Sequence, residues 1–237
     1  MSKILPPFKF KKFSITHEKC AMKVGVDGVL IGAWTNIKNP KNILDIGTGS
    51  GLISLMLQQK YPNASIVAIE PNVLAFKEAQ ENFRSYQSTN KPKIILTKLK
   101  DFKASTLFDL IISNPPFFEE LVPSGDLNRD QARQAFFLPL EEFIEGSANM
   151  LSKNGCFNFI YPTHQTEKIL KFAKEANLYL AKTTIVFPNK QKSSKRTLFS
   201  FTKSDQVTYP KKLIIKNSNG SFTQEYQDLT KDFYINF

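Results

Sequence analysis

"NILDIGTGSGLISLMLQQKY" (residues 42–61) carries three signals in succession. "NILDIG" is an apolar run of strand length. "GTGSG" then sets glycines at 47, 49 and 51, where a chain needs backbone freedom or a close approach to a ligand. "GLISLMLQQKY" places Leu52, Leu55 and Met56 on one face at helical spacing. The rhythm repeats downstream. "SIVAIE", "KIILTKL", "FDLIIS" and "GCFNFIYP" read as strands, and "NVLAFKEAQENFRSY", "LEEFIEGSANMLSK" and "QTEKILKFAKEAN" as helices. "TTIVF" and "TLFSFTK" are two more strands, joined by "PNKQKSSKR" with no helix between them. Strands alternating with helices predict an α/β fold with a doubly wound, mostly parallel sheet. Seven strands are expected, the last two forming an antiparallel hairpin at one edge. A basic segment, 1–41, precedes the α/β domain of 42–237, the two making a single structural domain overall. Ligands of such sheets bind beyond the carboxyl ends of the strands, which puts the ends of "NILDIG" and "FDLIIS" on one rim.

Composition narrows the function. A 237-residue chain with 41% hydrophobic residues can bury one good-sized core. Its net charge of +11 favours an anionic partner. Cys20 and Cys156 are far apart and lack metal-ligand spacing, and His17 and His164 are isolated. Neither a metal site nor a histidine-based triad is expected. The start, "MSKILPPFKFKKF", has no apolar run of signal-peptide length and no stretch is long enough to span a bilayer. A cytoplasmic protein is the expectation.

The glycine loop selects among nucleotide ligands. A dinucleotide fingerprint wants glycine at the first, third and sixth positions, but the sixth position from Gly47 is Leu52. Asp45 just before the loop would repel a pyrophosphate and suits a ligand with an amino group. Glu70 ends the next strand, where a carboxylate can accept both hydroxyls of a ribose. Asp101, with Phe102 beside it in "LKDF", either accepts from an adenine amino group or is a solvated loop acid. The three acids Asp45, Glu70 and Asp101 with Gly47, Gly49 and Gly51 together describe a site for a cationic nucleoside with an amino-acid tail, S-adenosylmethionine.

"FDLIISNPPF" (residues 108–117) supplies the chemistry. Proline cannot donate to a sheet ladder, so the strand stops at Asn114. The lone pair of an exocyclic amino group on a base is conjugated into the ring. The Asn114 side-chain oxygen and the Pro115 carbonyl can each take one amino proton and free that lone pair. Pro115 and Pro116 hold the carbonyl in place and remove competing N–H groups. Phe117 can stack on a base, a contact of about 1–3 kcal/mol. Catalysis of this kind rests on orientation and preorganised dipoles.

"DIGTGSG" with "NPPF" resembles the Rossmann-like class I methyltransferases that use S-adenosylmethionine on planar nitrogen. "CAMKVGVDGVLIGAW", "RDQAR" and the terminal "EYQDLTKDFY" extend the resemblance over nearly the whole chain, to the bacterial tRNA(Val) adenine N6-methyltransferases. Those enzymes modify the adenine on the 3′ side of the anticodon. The resemblance implies that the stretch from Lys23 to Gly28 folds over the cofactor, with Asp27 near its methionine end, and that segment 1–41 covers the site. The family pattern has threonine where Val26 stands and often tyrosine where Phe117 stands. A ring hydroxyl therefore has no part in the chemistry here. Arg129 and Arg133, four apart, either grip phosphates or pair with Asp126, Asp130 or Glu119. Lys195 and Arg196, with Lys190 and Lys192 in the same loop, suit RNA. The partner expected is the anticodon loop of a tRNA, bound by a monomer without metal. A protein glutamine N5-methyltransferase, an rRNA guanine N2-methyltransferase and a DNA adenine N6-methyltransferase share the Asn-Pro-Pro-aromatic motif and compete with this reading.

Overall fold

The computed structural model describes residues 6–20, 22–116 and 138–237. The chain begins with a small antiparallel pair, β1 (Phe8–Lys9) and β2 (Ser14–Ile15), followed by α1 (Val26–Trp34). Then come β3 (Asn42–Ile46), α2 (Leu52–Lys60), β4 (Ser65–Glu70), α3 (Val73–Ser85), β5 (Lys93–Leu96) and β6 (Phe108–Ser113). Beyond residue 137 are α4 (Leu140–Met150), β7 (Leu151–Pro162), α5 (Thr166–Glu175), β8 (Tyr179–Asn189), β9 (Arg196–Thr202), β10 (Lys211–Lys216) and α6 (Gln224–Thr230).

The main sheet has the order β10-β8-β9-β7-β6-β3-β4-β5. Strands β3 to β7 are mutually parallel, and β9 runs antiparallel to both β7 and β8. Two expectations are corrected. Among the described residues the sheet has eight strands, not seven. The β8–β9 hairpin does not form the edge, because β10 lies outside it, parallel to β8. Its sequence, "KKLIIK", is short and flanked by lysines. Those charges suit an edge strand and blunt it against further pairing, but they hide the strand from a hydrophobic scan. A smaller correction concerns "LSK", which belongs to β7 rather than to the preceding helix.

Central strands are apolar on both faces because helices cover both. Along β6, Leu110 and Ile112 join the core layer built with α1 and α2, while Ile111 joins the layer built with α4 and α5. The second layer is largely aromatic. Phe159, fully buried, lies with its ring centroid 4.8 Å from Phe157, 5.3 Å from Phe143 and 5.4 Å from Phe199. Helix α1 has unusual neighbours at its carboxyl end. Lys60 donates to the Ala33 and Thr35 carbonyls, and Lys182 donates to the Trp34 carbonyl while lying 3.9 Å over the indole. Cations there offset the unpaired carbonyls of the last turn. Burial, with Lys182 nearby, pushes the Lys60 ammonium down to about 8. No helix of the described residues is long and apolar enough to cross a membrane.

This topology sets the site. The carboxyl ends of β3, β4, β5, β6 and β7 share one rim, and Arg196, at the start of β9, pairs with Pro162 at the end of β7. Phe159→Ala, which removes the ring at the centre of the aromatic layer, is expected to destabilise the fold by about 3–5 kcal/mol. A urea denaturation showing a loss below about 1 kcal/mol would contradict that placement.

Candidate cofactor and catalytic site

The glycine loop is tied at both ends. Gly47 and Thr48 donate their N–H groups to the Ile69 carbonyl at 2.9 and 3.2 Å, which fastens the loop to β4. Asp45 is fully buried. Its Oδ2 accepts from the hydroxyls of Thr48 at 2.6 Å and Ser54 at 2.7 Å, so one carboxylate joins the end of β3, the loop and the first turns of α2. Its Oδ1 has no hydrogen-bond partner among the described residues. Burial pushes the carboxyl from its ordinary 3.8 up to about 6, against the lowering pull of those hydroxyls, and the nearby charge of Glu70 adds to the rise. Gly51 has φ +86°, and a Cβ there would overlap the Phe83 ring of α3, so only glycine fits.

Glu70, at the end of β4, accepts the Gly49 N–H on Oε2 and the Asn72 N–H on Oε1, each at 2.9 Å. Burial pushes its carboxyl up, and the two N–H groups oppose the shift. A carboxylate has about four lone-pair sites, so acceptor capacity remains.

A cleft of about 250 Å³ opens over the loop. Residues 22–28 and 47–50 line it, with Asn114 in the same lining. At Gly47 and Gly49 an added Cβ would meet nothing within 4 Å, so the loop backbone is bare toward open space. Asn114 follows β6, whose end is held against β3 by a 2.7 Å hydrogen bond from Ser113 Oγ to the Ile46 carbonyl. Asn114 Oδ1 is buried and has no partner among the described residues. An unpaired buried acceptor costs about 1–3 kcal/mol, so this oxygen is held ready for a donor that the described residues do not supply. Pro115 is buried and Pro116 half-buried directly after it.

The expected site residues do not all converge. Asp45, Gly47, Gly49, Gly51, Glu70 and Asn114 gather around the loop, although Asp45 and Glu70 lie behind the lining rather than in it. Lys23 lines the cleft, yet its ammonium donates to the His17 and Glu18 carbonyls at 2.7 and 2.9 Å. Asp27 also lines the cleft, and its Oδ2 accepts from Arg196 Nε at 2.8 Å. A residue expected at the cofactor and one expected at RNA are thus partners. Lys195 stays exposed beside them. Asp101 is exposed on the 3-10 turn Leu99–Asp101, and Phe102 is half-buried with its ring 6.5 Å from Phe108. Neither lines the cleft. Phe117, Arg129 and Arg133 lie outside the described residues. Among the described residues no group of three or more His, Cys, Asp and Glu is placed to hold a metal ion.

Sequence reasoning passed over Ser113, Glu78 and Asn82. The last two are buried polar residues one turn apart on α3, and Asn82 donates to the Ser50 carbonyl of the loop at 2.8 Å. Their only signal is polarity within the Ala75, Ala79 and Phe83 face.

A parallel sheet with an acid-flanked glycine loop on one strand end and an Asn-Pro-Pro turn on the next defines a methyltransferase, and residues 29–184 match the family model of the methyltransferase small domain. The tRNA1(Val) (adenine(37)-N6)-methyltransferase of Christiangramia forsetii is 40% identical over 234 residues, covering 97% of this chain and 98% of that protein. Its namesake in Haemophilus influenzae strain PittEE is 38% identical, covering 97% of this chain and 99% of its own. The chain belongs to this family of tRNA1(Val) (adenine(37)-N6)-methyltransferases. Among solved structures, one from Agrobacterium tumefaciens described as a predicted O-methyltransferase superposes with a TM-score of 0.63 at 15% identity, covering 87% of this chain and 96% of that one. That likeness concerns the fold alone.

The residues fit S-adenosylmethionine, the cofactor the motif implies. The bare backbone of Gly47 and Gly49 leaves room for close approach, and the Asp45 and Glu70 carboxylates make the loop attractive to a cation. Asp45 generates a test of its own. Its proton is held more tightly in the folded state than in the unfolded, so stability falls as pH rises from about 4 to about 6 and levels off above that. For Asp45→Asn, the stability relative to the parent is expected to grow by about 2–3 kcal/mol across that window. A difference that stays flat from pH 4 to 7 in chemical denaturation would show that Asp45 titrates normally.

Proposed function

We propose that this protein transfers a methyl group from S-adenosylmethionine to N6 of adenine 37, the base following the anticodon, in tRNA1(Val). The observation that carries the reading is that Asn114 lines the glycine-loop cleft while its buried Oδ1 has no partner among the described residues. When bound, S-adenosylmethionine supplies an electrophilic methyl group on a sulfonium. Asn114 Oδ1 accepts one proton of the adenine amino group and the Pro115 carbonyl accepts the other. These hydrogen bonds would release the nitrogen lone pair from ring conjugation and direct it at the methyl carbon. As the N–C bond forms, the methyl's bond to sulfur would break, S-adenosylhomocysteine would leave, and the nitrogen would lose one proton to solvent. Pro115 and Pro116 fix the carbonyl before substrate arrives, so the dipoles need no reorganisation during reaction. Glu70 would hold the ribose hydroxyls and the Asp45 carboxylate would attract the amino-acid end. Asp101 and Phe102, outside the cleft lining, would serve the adenine side only where the cofactor extends beyond the cleft, and Phe117 would stack on the target base.

Segment 1–41 covers this site, with Lys23 and Asp27 in the strap. On the RNA side, Lys195, in the loop that enters β9, lies on the same rim as Asn114, with Lys190 and Lys192 in the same loop. Arg129 and Arg133 complete the phosphate contacts. Arg196 belongs to this basic edge and also anchors Asp27. A base in a tRNA loop is unpaired, so extruding it costs less than opening a duplex. The protein works as a cytoplasmic monomer, without metal.

Labelled cofactor offered with two tRNA1(Val) transcripts, one with adenine and one with guanine at position 37, tests the assignment. Label is expected only in the adenine transcript, and equal incorporation would refute the site. Label in a protein but in no tRNA would favour glutamine methylation instead. Asn114→Ala should lower kcat about 10²-fold or more while changing cofactor affinity less than about twofold. Lys195→Ala should reduce the logarithmic salt slope of tRNA binding by about 0.7. An unchanged slope removes Lys195 from the RNA contact.

A further inference from the structure

Helix α3 buries two polar side chains where its sequence pattern calls for apolar ones. Glu78 is 1% exposed and Asn82 is 4% exposed. A buried carboxylate is costly unless it is hydrogen-bonded. Glu78 meets that demand with two backbone donors, Lys19 N–H on Oε1 and Cys20 N–H on Oε2, each at 2.9 Å. Asn82 uses its whole hydrogen-bonding capacity. Its Oδ1 accepts from the Thr16 N–H at 3.0 Å and the Thr16 hydroxyl at 2.8 Å. Its Nδ2 donates to the Thr16 carbonyl at 2.9 Å and to the Ser50 carbonyl at 2.8 Å. One amide therefore bridges the N-terminal segment and the glycine loop.

The rest of the strap hangs from these contacts. His17 Nδ1 accepts the Val24 N–H at 3.0 Å. The Lys23 ammonium returns to the His17 and Glu18 carbonyls, and Cys20 Sγ lies 2.9 Å from the Met22 carbonyl. Residues 22–28 of the N-terminal segment and Ser50 of the glycine loop both line the cleft. The separation of the two segments is thus set from a helix that does not itself line the cleft.

We infer that Asn82 and Glu78 are positioning residues for the cofactor, holding the strap and the glycine loop at the spacing that S-adenosylmethionine requires. The inference rests on the cofactor reading proposed above. It predicts a loss in cofactor affinity without a matching loss in the chemical step, because neither residue reaches Asn114.

Asn82→Asp is the sharpest probe. It keeps the size of the side chain and the acceptor that faces the Thr16 N–H and hydroxyl, but turns the donor toward the Thr16 and Ser50 carbonyls into a second acceptor. Glu78→Gln likewise preserves size and sets an NH₂ group against one of two N–H donors. Lys77→Ala, exposed on the same helix, is the control. Calorimetry with S-adenosylmethionine on the purified full chain is expected to show Kd raised tenfold or more for both variants and unchanged for the control. KM for the cofactor should rise with Kd, while kcat at saturating cofactor falls less than threefold. Hydrogen exchange in the cofactor-free protein should quicken at the Lys19 and Cys20 amides in Glu78→Gln. Should Asn82→Asp fail to fold, Glu78→Gln decides alone. Unchanged Kd in the folded variants, or kcat falling by as large a factor as Kd rises, overturns the inference. A folded parent that binds no S-adenosylmethionine overturns the cofactor reading itself.

Discussion

One buried carboxylate oxygen holds this architecture at its centre. Asp45 Oδ2 accepts hydroxyls from Thr48 and Ser54, three and nine residues onward. A strand end, a loop with glycines in left-handed conformations and a helix start are thereby fixed to one point. The cost is visible in the same side chain, whose second oxygen is buried without a partner among the described residues and whose carboxyl is pushed up to about 6. Strain of this sort persists where surrounding structure enforces it, and it gathers at functional sites.

A second constraint is imposed across the sheet. The parallel register places Ile46 beside Ser113, and the Ser113 hydroxyl closes that junction by donating to the Ile46 carbonyl. Asn114, the next residue, is therefore delivered beside the glycine loop by its neighbours, and among the described residues its oxygen has no partner. Asn114 and the glycine loop become adjacent through strand order, since β3 and β6 are neighbours in the sheet.

The N-terminal segment shows how a surface element becomes part of a site. Phe10, Phe13 and Ile15 pack with Ala79 and Phe83 of α3, and Asn82 and Glu78 on that helix take up the strap's backbone. At its far end the strap meets Asp27, which is bound to Arg196. Arg196 sits at the mouth of the basic β8–β9 loop, so the cofactor side and the basic edge share a contact. An ion pair with both partners about 30% exposed contributes little stability on its own. Its value is geometric, since it joins two elements that no covalent connection brings near.

Periodicity, glycine spacing and the prolines after Asn114 determined the α/β class, the glycine loop on β3 and the acceptor at the end of β6. These features depend on residues within one or two turns of each other, so they are legible in one dimension. The edge strand β10 was not legible, because the lysines that suit an edge erase the apolar pattern. Nor could sequence assign the charges. Asp27 and Arg196 are 169 positions apart, and each alone looks like a ligand contact. Asn82 and Thr16 are 66 apart, and Asn82 alone looks like an ordinary polar residue on a helix. Which polar groups are satisfied within the protein, and which are left for a ligand, depends on partners that only the folded chain assembles. Tertiary structure therefore decided that Lys23 and Asp27 line the cleft while bound to partners of their own, that Glu78 and Asn82 hold the segment beside it, and that the buried Asn114 oxygen has no partner among the described residues.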